Sequence, residues 1–232
     1  MLGRFLELSV QTGDIRASVE FYESLGFRQC LAGETWSHPY AVMSDGRLFV
    51  GLHEYAFDSP ALTFVRPDLS AHLPELERRG VLFEFRKTGE DTFNEAGFLD
   101  PDGHMIALLE ARTYSPPAFD DRDFSLIGRF RAYALPVRDL EPTLDFWHRL
   151  GAETAQSESQ PYPCADMGAG GARFELHQTR DFRQASLLFA DDDAALSDRL
   201  RHKGMELPED ATGASLVTPE GLRIRIVAPA GA

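Results

Sequence analysis

Apolar positions change period early in the chain. The segment LGRFLELSV alternates as a strand does, and Ile15, Val19, Tyr22 and Leu25 then recur at i, i+4, i+7 and i+10, the stripe of an amphipathic helix. Asp14 stands where a side-chain oxygen accepts the first free amide hydrogens, and Gly26 suits the left-handed position after the last turn. Three short strands follow near 27–33, 38–44 and 47–54, the last two divided by Ser44-Asp45-Gly46, so the segment predicts a βαβββ unit. A second unit begins at 61–65. Its helix is expected to be capped by Asp68, to carry Leu69, Leu73 and Leu76 and to end at Gly80, with Pro74 predicting a late start or a kink. Strands near 82–86, 93–99 and 104–110 complete it, the last pair joined by Asp100-Pro101-Asp102-Gly103.

The pattern then repeats. Asp14-Ile15, Phe21-Tyr22 and Leu25-Gly26 recur as Asp139-Leu140, Phe146-Trp147 and Leu150-Gly151 at a constant offset of 125. Leu52-His53 recurs as Leu176-His177, and the turn at 100–103 recurs as Thr218-Pro219-Glu220-Gly221. The second copy continues with a strand at 185–190, a helix across 193–203 bearing Leu196 and Leu200, and strands near 214–218 and 222–227. Gly168-Ala169-Gly170-Gly171 lacks the Lys-Ser/Thr ending of a phosphate-binding loop and is expected to be a hairpin turn. TYSPPAFDDRDF, residues 113–124, has two prolines and no apolar period, and is expected to be a linker.

A strand, an Asp-capped helix ending F[YW]xxLG, and a DPDG or TPEG turn before an apolar strand, found twice in order, resemble the vicinal oxygen chelate superfamily of glyoxalase, bleomycin-resistance and extradiol dioxygenase proteins. The resemblance implies an α+β fold in which four βαβββ modules form two tandem glyoxalase/bleomycin-resistance-like domains, 1–112 and 125–232, with curved mixed sheets. It also implies four metal-ligand positions per domain. These fall on Glu7, Gly51, Ala61 and Ala107 in the first and on Ala132, Glu175, Ser186 and Arg225 in the second. One carboxylate per domain is too few for a catalytic divalent metal, so no metal and no other cofactor is expected.

Charge narrows the partners. Against 23 Lys and Arg stand 37 Asp and Glu, a net charge of -14, which disfavours nucleic acid and anionic membrane. The opening residues lack the apolar core of a signal peptide and no stretch approaches the roughly 18 apolar residues of a membrane span, so a cytoplasmic location is expected. Cys30 and Cys164 are expected to be reduced and buried.

His53 and His177 lie two residues beyond Gly51 and Glu175, on the inward face by strand parity. Glu7 with His53 has the makings of a general-base pair, and Trp36, His38 and Tyr40 offer aromatic area for a ligand. Ligand-binding residues are therefore expected at Glu7, His53, Trp36 and Tyr40, and a structural ion pair at Glu175 and Arg225. His72, His104, His148 and His202 are expected at the surface. The favoured function is a metal-independent small-molecule binder, an unknown organic compound being its partner. The alternative is a metal-dependent or metal-free lyase, isomerase or dioxygenase, and whether the chain is an enzyme stays open. A third reading makes the second domain a degenerate copy kept for folding; a monomer is modestly preferred over a dimer. Elemental analysis of the purified protein should find no stoichiometric divalent metal, and about one zinc, nickel, manganese or iron per chain would overturn that expectation.

Overall fold

The computed structural model describes residues 1–31, 36–111, 125–191, 196–205, 209–210 and 213–227. In the first half the elements are β1 (Arg4–Gln11), α1 (Ile15–Ser24), β2 (Arg28–Cys30), β3 (Tyr40–Ser44), β4 (Phe49–His53), β5 (Ala61–Arg66), α2 (Leu69–Arg78), β6 (Phe83–Lys87), β7 (Glu95–Leu99) and β8 (Met105–Glu110). The second half has β9 (Arg129–Pro136), α3 (Leu140–Arg149), β10 (Glu153–Glu158), β11 (Cys164–Ala169), β12 (Ala172–His177), β13 (Ser186–Ala190), α4 (Leu196–His202), β14 (Glu209–Asp210), β15 (Gly213–Val217) and β16 (Arg223–Val227). The expected linker lies almost wholly outside the described residues.

Two curved mixed sheets result. Their strand orders are β2-β3-β4-β1-β5-β8-β7-β6 and β10-β11-β12-β9-β13-β16-β15-β14, the same order moved on by one copy. In each, the strand before the second helix pairs in parallel with the last strand of its module, Ala61 opposite Met105 and Ser186 opposite Arg223. A helical crossover makes that parallel pair possible, while hairpins serve the antiparallel ones. Of the glycine run, Gly168 and Ala169 end β11 and Gly170-Gly171 form the hairpin turn to β12. Among the described residues no helix is long and apolar enough to cross a membrane.

The helix starts follow different rules from those the sequence suggests. Asp14 does cap α1, its Oδ1 accepting the Ala17 amide hydrogen at 3.0 Å. Asp68 stands before α2 in a left-handed conformation, φ 57°, and makes no side-chain cap bond. Asp139 is extended but likewise makes none, and the Leu140 amide instead donates to Gln178 Oε1 at 2.9 Å. Pro74 neither delays nor ends α2, which begins at Leu69. Both cysteines are free but half-exposed, not buried, and burial is the main influence pushing both thiols above their ordinary pKa.

By packing the chain forms two compact units: Met1–Leu8, Asp58–Pro116 and Leu135–Arg180 make one, and Ser9–Phe57, Pro117–Ala134 and Asp181–Ala232 the other. Each joins the first module of one half to the second module of the other. Within the first unit, Phe98 meets Phe146 edge-on at 6.2 Å and Arg79 donates to the Arg149 carbonyl at 2.8 Å. Its turn residue Asp102 reaches the start of α3, where its carboxylate accepts from Arg138 N at 2.8 Å, Arg138 Nε at 3.1 Å and Thr143 Oγ1 at 2.6 Å. Within the second unit, Phe27 packs on Phe189 at 6.2 Å and the Leu126 amide donates to the Leu25 carbonyl at 2.8 Å. Tyr22 is fully buried there, and its hydroxyl pKa is pushed well up by burial and then by Glu220.

Burial alone would raise the Asp102 pKa, but the Thr143 hydroxyl and the Arg138 amide and guanidinium outweigh it and hold the group below its ordinary 3.8. A depressed folded-state pKa gives stabilisation that is present above the unfolded value and lost as pH falls through the folded one. Asp102→Asn should therefore cost about 1–3 kcal/mol at pH 7 and flatten the loss of stability below about pH 4. Denaturant unfolding of both proteins across pH 2.5–7 checks this; an unchanged acid slope in the variant would count against it.

Candidate functional site

The hairpin of β3 and β4 is set by its turn. Asp45 Oδ1 accepts from Arg47 N at 2.8 Å and Leu48 N at 2.7 Å, and Ser44 Oγ accepts from Gly46 N at 3.0 Å. Gly46 takes φ 99°, a conformation that side-chain-bearing residues rarely adopt. The resulting register puts Tyr40 directly opposite His53. Two bonds hold the far end: Glu54 N donates to the Pro39 carbonyl at 3.1 Å and Thr12 N to the His53 carbonyl at 2.9 Å.

Around His53, itself only 4% exposed, the second unit gathers five more rings. Tyr40 lies 4.6 Å from it, Trp36 5.1 Å and nearly perpendicular, His38 5.2 Å and Phe57 5.6 Å edge-on. Tyr55 stacks on His38 at 5.1 Å with an interplanar angle of 20°, and is 60% exposed, so it forms the solvent edge of the cluster. Of the sequence-predicted residues, Trp36, Tyr40 and His53 therefore come together, with His38 beside them. Tyr55 and Phe57 were not expected. The signal that finds them is strand parity continued past β4, since 53, 55 and 57 alternate with Glu54 and Ala56.

His38 Nε2 and His53 Nδ1 are 2.9 Å apart. At that distance one nitrogen carries the hydrogen and the other offers its lone pair, so the two facing nitrogens share one proton. Burial, and next the charge of His53, hold His38 below its ordinary value of 6.5. Such a pair can donate to one ligand group and accept from another, depending on which ring holds the proton.

The other expected residues lie as follows. Glu7 is 1% exposed on β1 and belongs to the first unit, whereas His53 belongs to the second. Glu175 and Arg225 are likewise divided between the units. Glu175 Oε2 lies 3.2 Å from His177 Nε2, and the Arg225 guanidinium stands 4.3 Å over the Phe182 ring. In the second half Cys164 takes the place opposite His177 that Tyr40 takes opposite His53, and Tyr162 lies 5.8 Å from His177. His148 and His202 are exposed as expected. His104 and His72 are not simple surface groups: His104 Nε2 is 2.9 Å from the Pro136 carbonyl oxygen, and His72 is half-buried with Nε2 wholly covered.

A metal has little to bind. The four positions implied by the resemblance hold one carboxylate, a glycine and two alanines in the first half, and among the described residues no group of three or more His, Cys, Asp or Glu is placed to share an ion. This donor set does not fit a divalent metal centre.

No protein-family model and no curated protein sequence matches the chain. Solved structures do. An E323L mutant of homoprotocatechuate 2,3-dioxygenase from Brevibacterium fuscum is 15% identical over 98% of this chain and 71% of its own, with a TM-score of 0.66. A catechol 2,3-dioxygenase is 13% identical over 98% of this chain and 90% of its own, with a TM-score of 0.58. At such identities the likeness is one of fold.

His38 should titrate in the folded protein below its value in the unfolded chain, so the folded form loses stability as pH falls from 6.5 through the folded-state pKa. His38→Gln should remove part of that loss. Imidazole NMR signals followed from pH 8 to 5, beside denaturant unfolding at each pH, check it. Identical slopes in the two proteins would overturn the expectation for His38.

Proposed function

We propose that this chain, whose fold is the tandem arrangement of the vicinal oxygen chelate superfamily, is a metal-independent binder of a small organic molecule. The observation that carries the proposal is the six-ring cluster of Trp36, His38, Tyr40, His53, Tyr55 and Phe57. Aromatic side chains supply large contact area with little rotamer entropy to lose, and an imidazole pair inside such a cluster supplies orientation through a proton donor and an acceptor. A planar compound with at least one polar substituent suits those groups best. The second half does not repeat the cluster, having Cys164 where Tyr40 stands, which supports the first half as the binding half and the second as a degenerate copy. The domain limits 1–112 and 125–232, a cytoplasmic location and a monomeric state belong to the same proposal.

The second reading is ring-cleaving or related catalysis, favoured by the solved structures whose fold the chain shares. Its weakness is chemical. A metal acting as Lewis acid or oxygen activator needs a donor set, and Gly51, Ala61 and Ala107 provide none.

A thermal-shift screen of planar aromatic acids, phenols and heterocycles tests the binder. A compound at 100 times its dissociation constant should stabilise the native state by about 2.7 kcal/mol. His53→Ala should remove most of that gain without unfolding the ligand-free protein, and His177→Ala should leave it intact. Equal loss from His177→Ala, or none from His53→Ala, would place binding elsewhere.

A further inference from the structure

The first unit carries a pocket built on different chemistry from the ring cluster. It measures about 540 Å³, within the roughly 300–1,000 Å³ of small-molecule sites, and lies where the loop before β7 meets the start of α2 and the end of β8. The ladder between β7 and β8 sets it. Ala96 stands opposite Leu108, so Asn94 and Glu110 face each other two residues on towards the loop, and the Glu110 amide donates to the Asn94 carbonyl at 2.9 Å. Both side chains therefore leave the sheet on the face of Ala96 and Leu108, which are wholly buried. Two bonds fix them. Gly89 N donates to Asn94 Oδ1 at 2.8 Å, and Ser70 N, the second amide of α2, donates to Glu110 Oε2 at 3.4 Å, where Asp68 makes no side-chain cap bond.

Donors and acceptors alternate around the opening. Asn94 is 9% exposed, lines the pocket, and among the described residues its Nδ2 donates to no protein group. A donor so covered is costly until something accepts from it. Glu110 and Glu90 bring carboxylate oxygens, and among the described residues neither forms an ion pair. Thr92 adds a hydroxyl and the Phe93 ring, 42% exposed, an aromatic surface; no lysine or arginine is among the lining residues. An anion is repelled by the two carboxylates, and an apolar guest leaves the Asn94 hydrogens and the carboxylate oxygens unpaired. A cation suits the carboxylates but meets the positive end of the Asn94 amide. A sugar hydroxyl satisfies both, because the same oxygen donates to a carboxylate and accepts from an amide, while the C–H face of a pyranose covers an aromatic ring.

We propose that this pocket binds a pyranose sugar, with one ring face on Phe93 and adjacent hydroxyls shared between Asn94 and Glu110. All its lining residues fall within Asp58–Pro116 of the first unit, whereas the ring cluster falls within Ser9–Phe57 of the second, so sugar binding does not depend on what the cluster holds.

Titration of the full chain with the methyl glycosides of glucose, galactose and mannose tests this, followed by the NMR signals of the Asn94 side-chain amide and the Gly89 backbone amide. At least one glycoside is expected to shift both signals saturably at millimolar concentration. Phe93→Ala, at an exposed side chain, should weaken that binding about tenfold. Asn94→Asp keeps the acceptor that holds Gly89 N and removes only the donor, and it should weaken binding by about tenfold or more. His53→Ala should bind the glycoside as the unaltered chain does, and cadaverine at constant ionic strength should leave both signals in place. If Asn94→Asp does not fold, Phe93→Ala decides by itself. No shift with any of the three glycosides, a saturable shift with cadaverine alone, unchanged affinity in Phe93→Ala, or loss of binding in His53→Ala would overturn the site.

Discussion

Amide hydrogens at a helix start must find acceptors, and in the first unit α3 takes them from elsewhere in the chain. Asp139, the residue placed to cap it, makes no such bond, so Asp102 and Gln178 satisfy the entry to the helix instead. Because Asp102 sits in the turn before β8, this one carboxylate ties the second module of the first half to the first module of the second half. In the other unit the matching junction is solved differently. Asp14 caps its own helix, Thr12 and Ser18 share a hydroxyl bond of 2.7 Å, and Gly13 stands where Arg138 would supply a cation. Glu220, the counterpart of Asp102, is left with buried oxygens beside the buried Tyr22. Duplication preserved the backbone and let the polar chemistry of the two junctions diverge.

The ring cluster and the end of β5 express the same divergence. At β3 and β4 the first half built up polar aromatic area while the second half fell back to Cys164 and Tyr162. At the end of β5 Arg66 stands where the second half has Asp191, which pairs with Arg199 at 2.7 Å. The net acidity of the chain hides both, since composition averages over a surface on which a few positions carry the specific chemistry.

Much of the fold was legible because period and turn chemistry are local. Strand parity placed Tyr40 and His53, the stripe from Ile15 to Leu25 placed α1, and the offset of 125 announced the duplication. Caps were less legible: an Asp before a helix says that a cap is available, but Asp68 adopts φ 57° and Asp139 yields to a distant acceptor. Tyr55 and Phe57 are less legible because they lie beyond the strand expected near 47–54, where parity is not expected to persist. His72 looked like a surface residue because nothing in helix spacing reveals that Arg66 lies beside it. Contacts across more than a hundred residues, which decide the two units, leave no local trace in sequence.

The exchange of modules between halves also bears on how the chain acquires its structure. Residues 9–57, including every ring of the cluster, are made early, yet the unit they belong to is completed only by residues from Asp181 onward. Tyr22 and Glu220 meet across almost the whole length of the chain, a topology of high contact order in which loop closure precedes the contacts that stabilise it. Nascent β2–β4 are therefore made about half the chain before the segment from Asp181 that completes their unit. A premature stop anywhere in the last module would strip support from a site encoded near the other end of the message.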